Sequence, residues 1–374
     1  MNLAASKRSE SRAGPVVGIL TAGSGHGKVP GNRQMFRYVL QACRRAGLIA
    51  YVFTPGQLHW AQGTANGWRL QGRQFVPGRF PLPDVVYNRV PNRKLENSVA
   101  VVAQKRQLRK HRVPFFNPRY FNKLDLHRML SRQPQAAPFM PWTGLLRSLA
   151  DVDRALERFG SVYLKRRTGF AGHGILRVSH VRGEYQVRYR TNNINRQQRF
   201  SSLGQLHERL RQAIGGDSYV IQQAIRLARY RGRIFDIRLL AQRNHEGKWQ
   251  VSGMGVRVAS IGGITTHVPN GGYIASVSAV LPAVFGDRAA DVEQRVRGLA
   301  LTIAPLLEKG SKARFGEMSM DVGVTPEGRP FFFEANAKPM KFDEEGIRHT
   351  GLATLVGYLK YLASAEGVKA RARD

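Results

Sequence analysis

The sequence has almost no cysteine: Cys43 is the single one in 374 residues. That excludes an intramolecular disulfide and any cysteine-rich zinc site. Within Gln41-Ala42-Cys43-Arg44-Arg45-Ala46 it falls on a helical pattern and reads as a small core residue. Acids are scarce as well, with 25 Asp plus Glu against 59 Lys plus Arg and a formal charge of +34. Such a surface attracts anions, and net charge does not choose among nucleic acid, anionic polymers, acidic peptides and nucleotides. The basic residues are dispersed, with concentrations at Lys105 to Arg112, Arg226 to Arg233 and Lys369 to Arg373 that read mainly as solvated faces. Neither zinc-finger spacing nor an RNP-like aromatic motif is present, so sequence-specific nucleic-acid readout has little support. Long apolar runs are missing too. The best, Tyr273 to Phe285, is short and interrupted by Pro282, which falls below a membrane span. Residues 1–14 are polar and basic without an apolar core, so they read as a loose tail rather than a secretory signal, and the expected location is cytoplasmic.

What is present supports folded lobes: 42% of the residues are apolar, and the chain is long enough for two or three cores. Pro15 to Leu20 has a buried-strand pattern. A glycine-rich loop follows, then helical periodicity from Asn32 to Ala46 ending at Gly47, and a second strand from Leu48 to Phe53. This order predicts a small α/β lobe over 15–118, continued by Asp84 to Arg89 and closing near Val113 to Asn117. A helix is expected from Asn122 to about Ser131, and 134–141 reads as a linker. Asp151 to Phe159 reads as a helix capped by its own Asp. Val162 to Lys165, Tyr219 to Ile225, Phe235 to Arg243 and Trp249 to Ala259 read as strands of a second sheet. Asp291 to Lys309 is helical, and Glu344 to Ala365 forms one or two closing helices. No internal repeat is visible.

The densest chemistry lies between Phe315 and Pro339. Two β-rich runs, Met318 to Val324 and Phe331 to Asn336, flank a Pro- and Gly-bearing turn. If the loop is the four residues Pro326 to Arg329, Asp321 lies opposite Glu334 and Asn336 shares their face. A one-residue slip would send Asp321 to the other side. Two carboxylates and an amide oxygen suit Mg²⁺, which takes a few protein oxygens and completes its octahedron with phosphate and water. The competing reading is an ordinary hairpin with solvated acids.

Other segments are weaker singly. Gly23-Ser24-Gly25-His26-Gly27-Lys28 fails the P-loop spacing, because Ala22 and Val29 stand where Gly and Ser or Thr are needed. A lysine-bearing strand leads into a second glycine cluster, where Lys165 is placed to reach phosphate oxygens. There Gly169, Gly172 and Gly174 allow backbone N–H groups to lie over a triphosphate, although a surface hairpin explains the same residues. Tyr219 to Ile225 is an apolar strand ending in polar groups, able to flank adenine or simply to be buried. Phe235-Asp236-Ile237-Arg238 puts Asp236 and Arg238 on one strand face, with Arg257 on the following strand. Arginine forks suit phosphate, and a structural Asp–Arg pair suits the pattern equally.

Taken together these segments resemble the ATP-grasp superfamily over residues 119–362. The carriers are Asn122-Lys123, Tyr163-Leu164-Lys165 with its glycine-rich loop, Val220 to Ile225, Phe235 to Arg238, and Met320-Asp321 followed by Phe333-Glu334-Ala335-Asn336. Within it, Gln222 to Leu227, Gly232 to Arg238, Phe333 to Pro339 and Val86-Tyr87-Asn88-Arg89 look like the YheC/YheD group of endospore coat-associated proteins. The resemblance implies α/β and α+β architecture: an N-terminal α/β (pre-ATP-grasp-like) lobe, then a two-lobed ATP-grasp domain over 119–365, with basic tails at 1–14 and 366–374. It implies ATP between the two lobes, with Lys123 and Lys165 on the phosphates and Gly169, Gly172 and Gly174 closing over them. Gln222, Gln223, Ala224 and Ile225 would form the adenine hinge. Asp321, Glu334 and Asn336 would hold one or two Mg²⁺ ions, with Mn²⁺ an alternative. Arg238 would face the transferred phosphoryl, Arg257 would be a second phosphate contact, and Asn88 and Arg89 would guide an acidic or peptidic substrate.

The implied activity is a carboxylate–amine ligase working through an acyl phosphate. Two alternatives stand beside it: a spore-coat structural or interaction protein that binds ATP with little turnover, and a binder of nucleic acid or anionic polymers. Gln222-Gln223 stands where related ligases often place Glu, so neither substrate is identified.

Overall fold

The computed structural model describes residues 14–25, 28–167, 174–192, 194–339, 342 and 344–364. Among them the chain forms three sheets. The first opens with β1 (Val16–Leu20), whose residues are all buried, as a strand covered on both faces requires. Helix α1 (Arg33–Arg45) follows, capped by Asn32 Oδ1 accepting from Met35 N at 3.0 Å. Its inner face carries Phe36, Val39, Leu40 and Cys43, and burial pushes the Cys43 thiol up to about 12. The chain continues through β2 (Ile49–Phe53), β3 (Leu58–His59), β4 (Thr64–Gln71), β5 (Gln74–Pro81), β6 (Val85–Asn88), α2 (Arg93–Glu96), α3 (Val99–Lys110) and β7 (Phe115–Phe116). Strands β2, β1, β6 and β7 run parallel. The β4–β5 hairpin was not expected: Gly67, Pro77, Gly78 and Pro81 are residues depleted in strands, and they interrupt both of its arms.

The second sheet has the order β12-β11-β10-β9-β13-β8. Its elements are α4 (Lys123–Ser131), β8 (Thr143–Leu145), α5 (Leu149–Phe159), β9 (Ser161–Arg166), β10 (Leu176–Val181), β11 (Glu184–Thr191), β12 (Ile194–Phe200), α6 (Leu203–Ile214) and β13 (Tyr219–Gln223). Asn122 caps α4 as its sequence position suggests. Helix α5 corrects the expectation that Asp151 is its cap. Ser148 is the N-cap, and Asp151 is the reciprocal residue of a capping box, accepting from Ser148 N at 2.9 Å.

The third sheet contains β14 (Arg229–Tyr230), β15 (Arg233–Arg243), β16 (Trp249–Val258), β17 (Tyr273–Ser276), β18 (Glu317–Val324) and β19 (Pro330–Asn336), with α7 (Val277–Phe285), α8 (Ala289–Ser311) and α9 (Glu345–Ala363). The single second sheet read from sequence is therefore two: β13 pairs with β9, while β15 lies between β16 and β18 and pairs with both. Strand periodicity does not name a strand's partner. One face of β15 and β18, with Phe235, Ile237, Leu239, Met320 and Val322, packs in the same core as Val296, Leu299 and Ile303 of α8.

Helix α9 joins the first and third sheets. Its Leu355, Tyr358, Leu359 and Leu362 share a core with Val17, Ile19 and Phe36. Gly316 sits where this junction is tightest: a Cβ there would stand 2.6 Å from the rings of both Phe116 and Tyr358. Charged groups are buried at the same junction. Glu96, 1% exposed, pairs with Lys105 at 2.9 Å and with Lys338, while Asn117 donates to Ala337 O at 2.7 Å.

Candidate nucleotide and metal site

Strands β18 and β19 meet as Val324↔Pro330, Gly323↔Phe331 and Val322↔Phe332, and then as Asp321↔Glu334 and Ser319↔Asn336. The connection thus runs from Thr325 to Arg329, one residue longer than the loop on which the sequence argument was conditional. Thr325 N donates to Arg329 O at 3.0 Å, and Gly328 takes the left-handed φ of 80° that the turn needs. That extra residue alone would have moved Asp321 off the Glu334 position. A bulge between Asp321 and Val322 leaves Phe333 unpaired and restores the register. Asp321 stands opposite Glu334 by compensation of two offsets.

Across the sheet Arg238 pairs with Asp321 and with Gly255, and Asp236 pairs with Arg257. Alternation then places Asp236, Arg238, Arg257, Ser319 and Asp321 on the face opposite the α8 core. Arg257 is a buried fork between two acids. Its Nε and Nη2 donate to Asp236 Oδ1 and Oδ2 at 2.8 and 2.7 Å, and Nη2 also lies 2.8 Å from Asp321 Oδ2. Thr266 Oγ1 donates to Asp236 Oδ2 at 2.5 Å. Burial opposes the Arg257 charge, but the two carboxylates outweigh it and hold the guanidinium above its ordinary range. This geometry makes Arg257 the internal counter-ion of Asp236 and Asp321 rather than an open phosphate contact.

The other oxygen, Asp321 Oδ1, is buried with no hydrogen-bond partner. An unsatisfied buried carboxylate oxygen costs about 1–3 kcal/mol or more and calls for a ligand. With Glu334 opposite and Asn336 two residues on, the donors are hard oxygens, which fits Mg²⁺. Among the described residues no group of three His, Cys, Asp or Glu side chains forms a metal cage. A two-carboxylate, one-amide set leaves positions for phosphate and water. Arg238 is half-buried beside these donors, with Nη2 3.4 Å from Ser319 Oγ and its guanidinium 5.8 Å from the Phe342 ring centre. Gly255, its ladder partner, leaves the space that the Glu344 carboxylate occupies.

The second sheet faces this cluster with Lys165. Its Nζ donates to Gln222 Oε1 at 2.5 Å and stands 5.5 Å from the Tyr163 ring centre; Gln222 Nε2 donates to Thr143 Oγ1 at 3.0 Å. Tyr163 OH donates to Ile264 O at 3.0 Å, so the β16–β17 connection lies against the same face. His127 on α4 is a residue the sequence reading missed. Its Nε2 lies 3.1 Å from Phe333 O, the carbonyl of the bulge residue. A carbonyl only accepts, so Nε2 carries the proton. Burial lowers the ring's pKa to about 4, and the nearby Lys165 charge acts in the same direction. The available signal was its position four residues after Lys123. Lys165, His127 and the Asp321–Glu334 hairpin thus converge from two sheets.

Other expected positions are placed differently. The N–H groups of Gln223 and Ala224 donate to Trp142 O and Ser161 O at 2.9 and 3.0 Å, so these two hinge donors serve the fold. Asn88 and Arg89 are buried: Asn88 donates to Glu96 and to Asn117 O, and Arg89 donates to Glu317 and to Pro339 O. They belong to the junction rather than to an open substrate surface. Lys123 begins α4, Ile225 follows β13, and Gly174 has a left-handed φ of 69°. Gly169 and Gly172 lie outside the described residues.

The profile of the YheC/D-like ATP-grasp family matches residues 112–364. Endospore coat-associated protein YheD of Bacillus subtilis (strain 168) is 30% identical over 351 residues, covering 91% of this chain and 76% of that protein. Among solved structures, the C-terminal domain of K. lactis Pby1, an ATP-grasp enzyme interacting with the mRNA decapping enzyme Dcp2, is similar in fold. It has a TM-score of 0.50 and 11% identity, over 92% of this chain and 91% of that one. With the hairpin, the paired sheets and a relative of this similarity along most of its length, the chain belongs to the YheC/D-like ATP-grasp family.

Proposed function

We propose that this protein is an ATP- and Mg²⁺-dependent carboxylate–amine ligase. The observation that carries the reading is the divided Asp321 carboxylate, with one oxygen held by Arg257 and the other buried and unpartnered on the face that bears Arg238. In this reading 15–118 is an N-terminal lobe and 119–365 the ATP-grasp domain. Lys123, Lys165 and the 169–174 glycines hold the triphosphate, and Gln222 to Ile225 border the adenine. Asp321, Glu334 and Asn336 bind Mg²⁺, which supplies charge neutralisation and orients the phosphate oxygens.

Arg238 lies beside that metal face and stabilises the charge on the transferred phosphoryl group. A substrate carboxylate oxygen attacks the γ-phosphorus, the bond to the β,γ-bridging oxygen breaks, and ADP leaves. The amine nitrogen then attacks the acyl carbon, phosphate departs, and the nitrogen loses a proton. Arg257 acts behind this chemistry by fixing Asp321. The test is a Mg²⁺-dependent thermal shift with ATP, followed by an amino-acid and peptide screen read by phosphate release and product mass. ATP stabilisation with substrate-stimulated ADP release supports the ligase; its absence across a broad screen removes the support.

A second reading, an ATP-binding coat or interaction protein with little turnover, is favoured by the similarity to coat-associated YheD. It expects the ATP shift without stimulated ADP release, and a location at the spore coat.

A further inference from the structure

The chain that leaves the β18–β19 hairpin is held, residue by residue, from the first sheet. Ala337, Lys338 and Pro339 follow Asn336 directly. Ala337 O accepts from Asn117 Nδ2 at 2.7 Å, and Pro339 O accepts from Arg89 Nη2 at 3.0 Å. Between them the Lys338 ammonium pairs with Glu96 and donates to Val90 O at 3.2 Å. Asn117, Arg89, Glu96 and Lys338 are all buried.

Asn117 acts at both ends of the hairpin. Its Oδ1 accepts from Gly316 N at 3.0 Å, one residue before β18 begins, while its Nδ2 reaches Ala337 O, one residue after β19 ends. A single side-chain amide thus spans the open end of the hairpin, opposite the turn from Thr325 to Arg329. Turning the amide over would set oxygen against Ala337 O and Nδ2 against an N–H, so its orientation is fixed. The backbone is anchored as well: Asn117 N donates to Arg314 O at 2.9 Å, and Asn117 O accepts from Asn88 Nδ2 at 3.0 Å. Asn117 also holds a left-handed φ of 55°, a conformation that asparagine tolerates better than most residues and that persists where the surroundings over-determine it. It follows β7 directly, and Asn88 ends the parallel neighbour β6, so the carboxyl ends of both strands meet the hairpin.

The metal donors lie just inside this contact. Asn336 is the last residue of β19, paired with Ser319, and its chain neighbour Ala337 carries the carbonyl that Asn117 holds. Arg257 fixes the donor set at Asp321, and Asn117 fixes it at Asn336. Groups that hold a ligand rather than the ion itself govern metal affinity through the ligand's placement.

We infer that Asn117 is a positioning residue of the metal site, clamping the two ends of the hairpin so that Asn336 stands in place beside Asp321 and Glu334. Asn88 and Arg89 support the clamp through Asn117 O and Pro339 O. The first sheet thereby sets the Mg²⁺ affinity of a site to which it contributes no ligand. The inference rests on the metal assignment of the ligase reading above.

The experiment is thermal unfolding of the full chain with a non-hydrolysable ATP analogue across a Mg²⁺ titration, read as the Mg²⁺ concentration that gives half of the maximal stabilisation. Asn117→Gly permits the left-handed backbone and removes the amide. Asn117→Asp keeps the acceptor for Gly316 N and replaces the donor to Ala337 O by an oxygen. Leu359→Ala is the control, because it loosens the same junction through the α9 core, away from residues 336–339. Both Asn117 variants are expected to raise the half-maximal Mg²⁺ concentration by about 10- to 100-fold, the range for losing a group that holds a metal ligand. Leu359→Ala is expected to lower the melting temperature and leave that concentration where it was. Arg89→Lys keeps the charge beside Glu317 but gives up the planar fork that also reaches Pro339 O, and a smaller rise is expected. An unmoved Mg²⁺ dependence in the Asn117 variants, or in Arg89→Lys should those fail to fold, overturns the clamp, as does an equal rise in Leu359→Ala. An unmodified chain that shows no Mg²⁺-dependent stabilisation by the analogue overturns the ligase reading and the clamp with it, so the two failures are distinguishable.

Discussion

Arg257 Nη2 lies 2.8 Å from Asp321 Oδ2 while the same guanidinium chelates Asp236 through two hydrogen bonds. One buried cation thus serves a buried anion, Asp236, and a half-buried one, Asp321, and removing it leaves both acids uncompensated. Arg257→Met is expected to destabilise the fold by about 3–5 kcal/mol, the usual consequence of breaking a buried pair from one side. Because Asp321 is then short of positive charge, millimolar Mg²⁺ should recover more melting temperature in the variant than in the unmodified chain. Thermal unfolding with Mg²⁺ and with chelator checks this. Equal Mg²⁺ effects in both proteins would separate Arg257 from the metal face.

The acids themselves carry a different expectation. Asp321→Ala and Glu334→Ala remove metal oxygens but leave the β18–β19 ladder, so folding should persist and Mg²⁺-dependent ATP turnover should fall by about 10²- to 10³-fold. Asn336→Ala should act in the same direction. ADP release at saturating Mg²⁺, with circular dichroism as the folding control, reads the result; unchanged turnover in the two carboxylate variants would remove the metal assignment.

Much of this site was legible because chemistry and alternation coincide in β18 and β19: acids at Asp321 and Glu334 interrupt an otherwise apolar pattern. The register was not, since a longer turn and a bulge cancel each other, and neither leaves a mark in residue type. The roles of Asp236 and Arg257 were split between a phosphate site and a structural pair, and the 2.7 Å contact favours the pair. The hairpin β11–β12 was missed although Tyr185, Val187 and Tyr189 alternate with Gln186, Arg188 and Arg190 in β11; it is β12, with Asn195 to Arg199 all polar, that lacks an apolar pattern. His127 stands four residues after Lys123, but its partner, a bulge carbonyl 206 residues away, leaves no mark in residue type.

That histidine sets an acid limit on stability. Its folded pKa of about 4 lies below the ordinary 6.5, so between these values the unfolded chain holds a proton that the folded chain does not. Stability therefore rises with pH across this window and falls as pH drops from about 6.5 toward 4. The shift corresponds to roughly 3 kcal/mol. His127→Gln keeps a donor for Phe333 O and removes the titration. Urea unfolding at pH 7 and pH 4.5 should show a smaller difference in the variant, and an identical difference would place the ring in contact with solvent.

Glu96 is expected to control how firmly the first sheet is joined to the rest of the chain. Its carboxylate takes Lys105 at 2.9 Å on one oxygen and Lys338 on the other, and Asn88 Nδ2 donates to it at 2.9 Å. Burial already lowers the Lys338 pKa to about 8, with the Glu96 charge opposing that shift. Glu96→Gln removes the charge and leaves two ammonium groups sharing a buried site, at a cost of about 3–5 kcal/mol. Replacing Lys338 by Met at the same time removes one of the uncompensated charges, so the double variant should be more stable than Glu96→Gln alone. Urea midpoints of the two single variants and the double variant form the cycle. Additive losses would mean that Glu96 and Lys338 do not act as a pair, and the joint between the sheets would then rest on the α9 core instead.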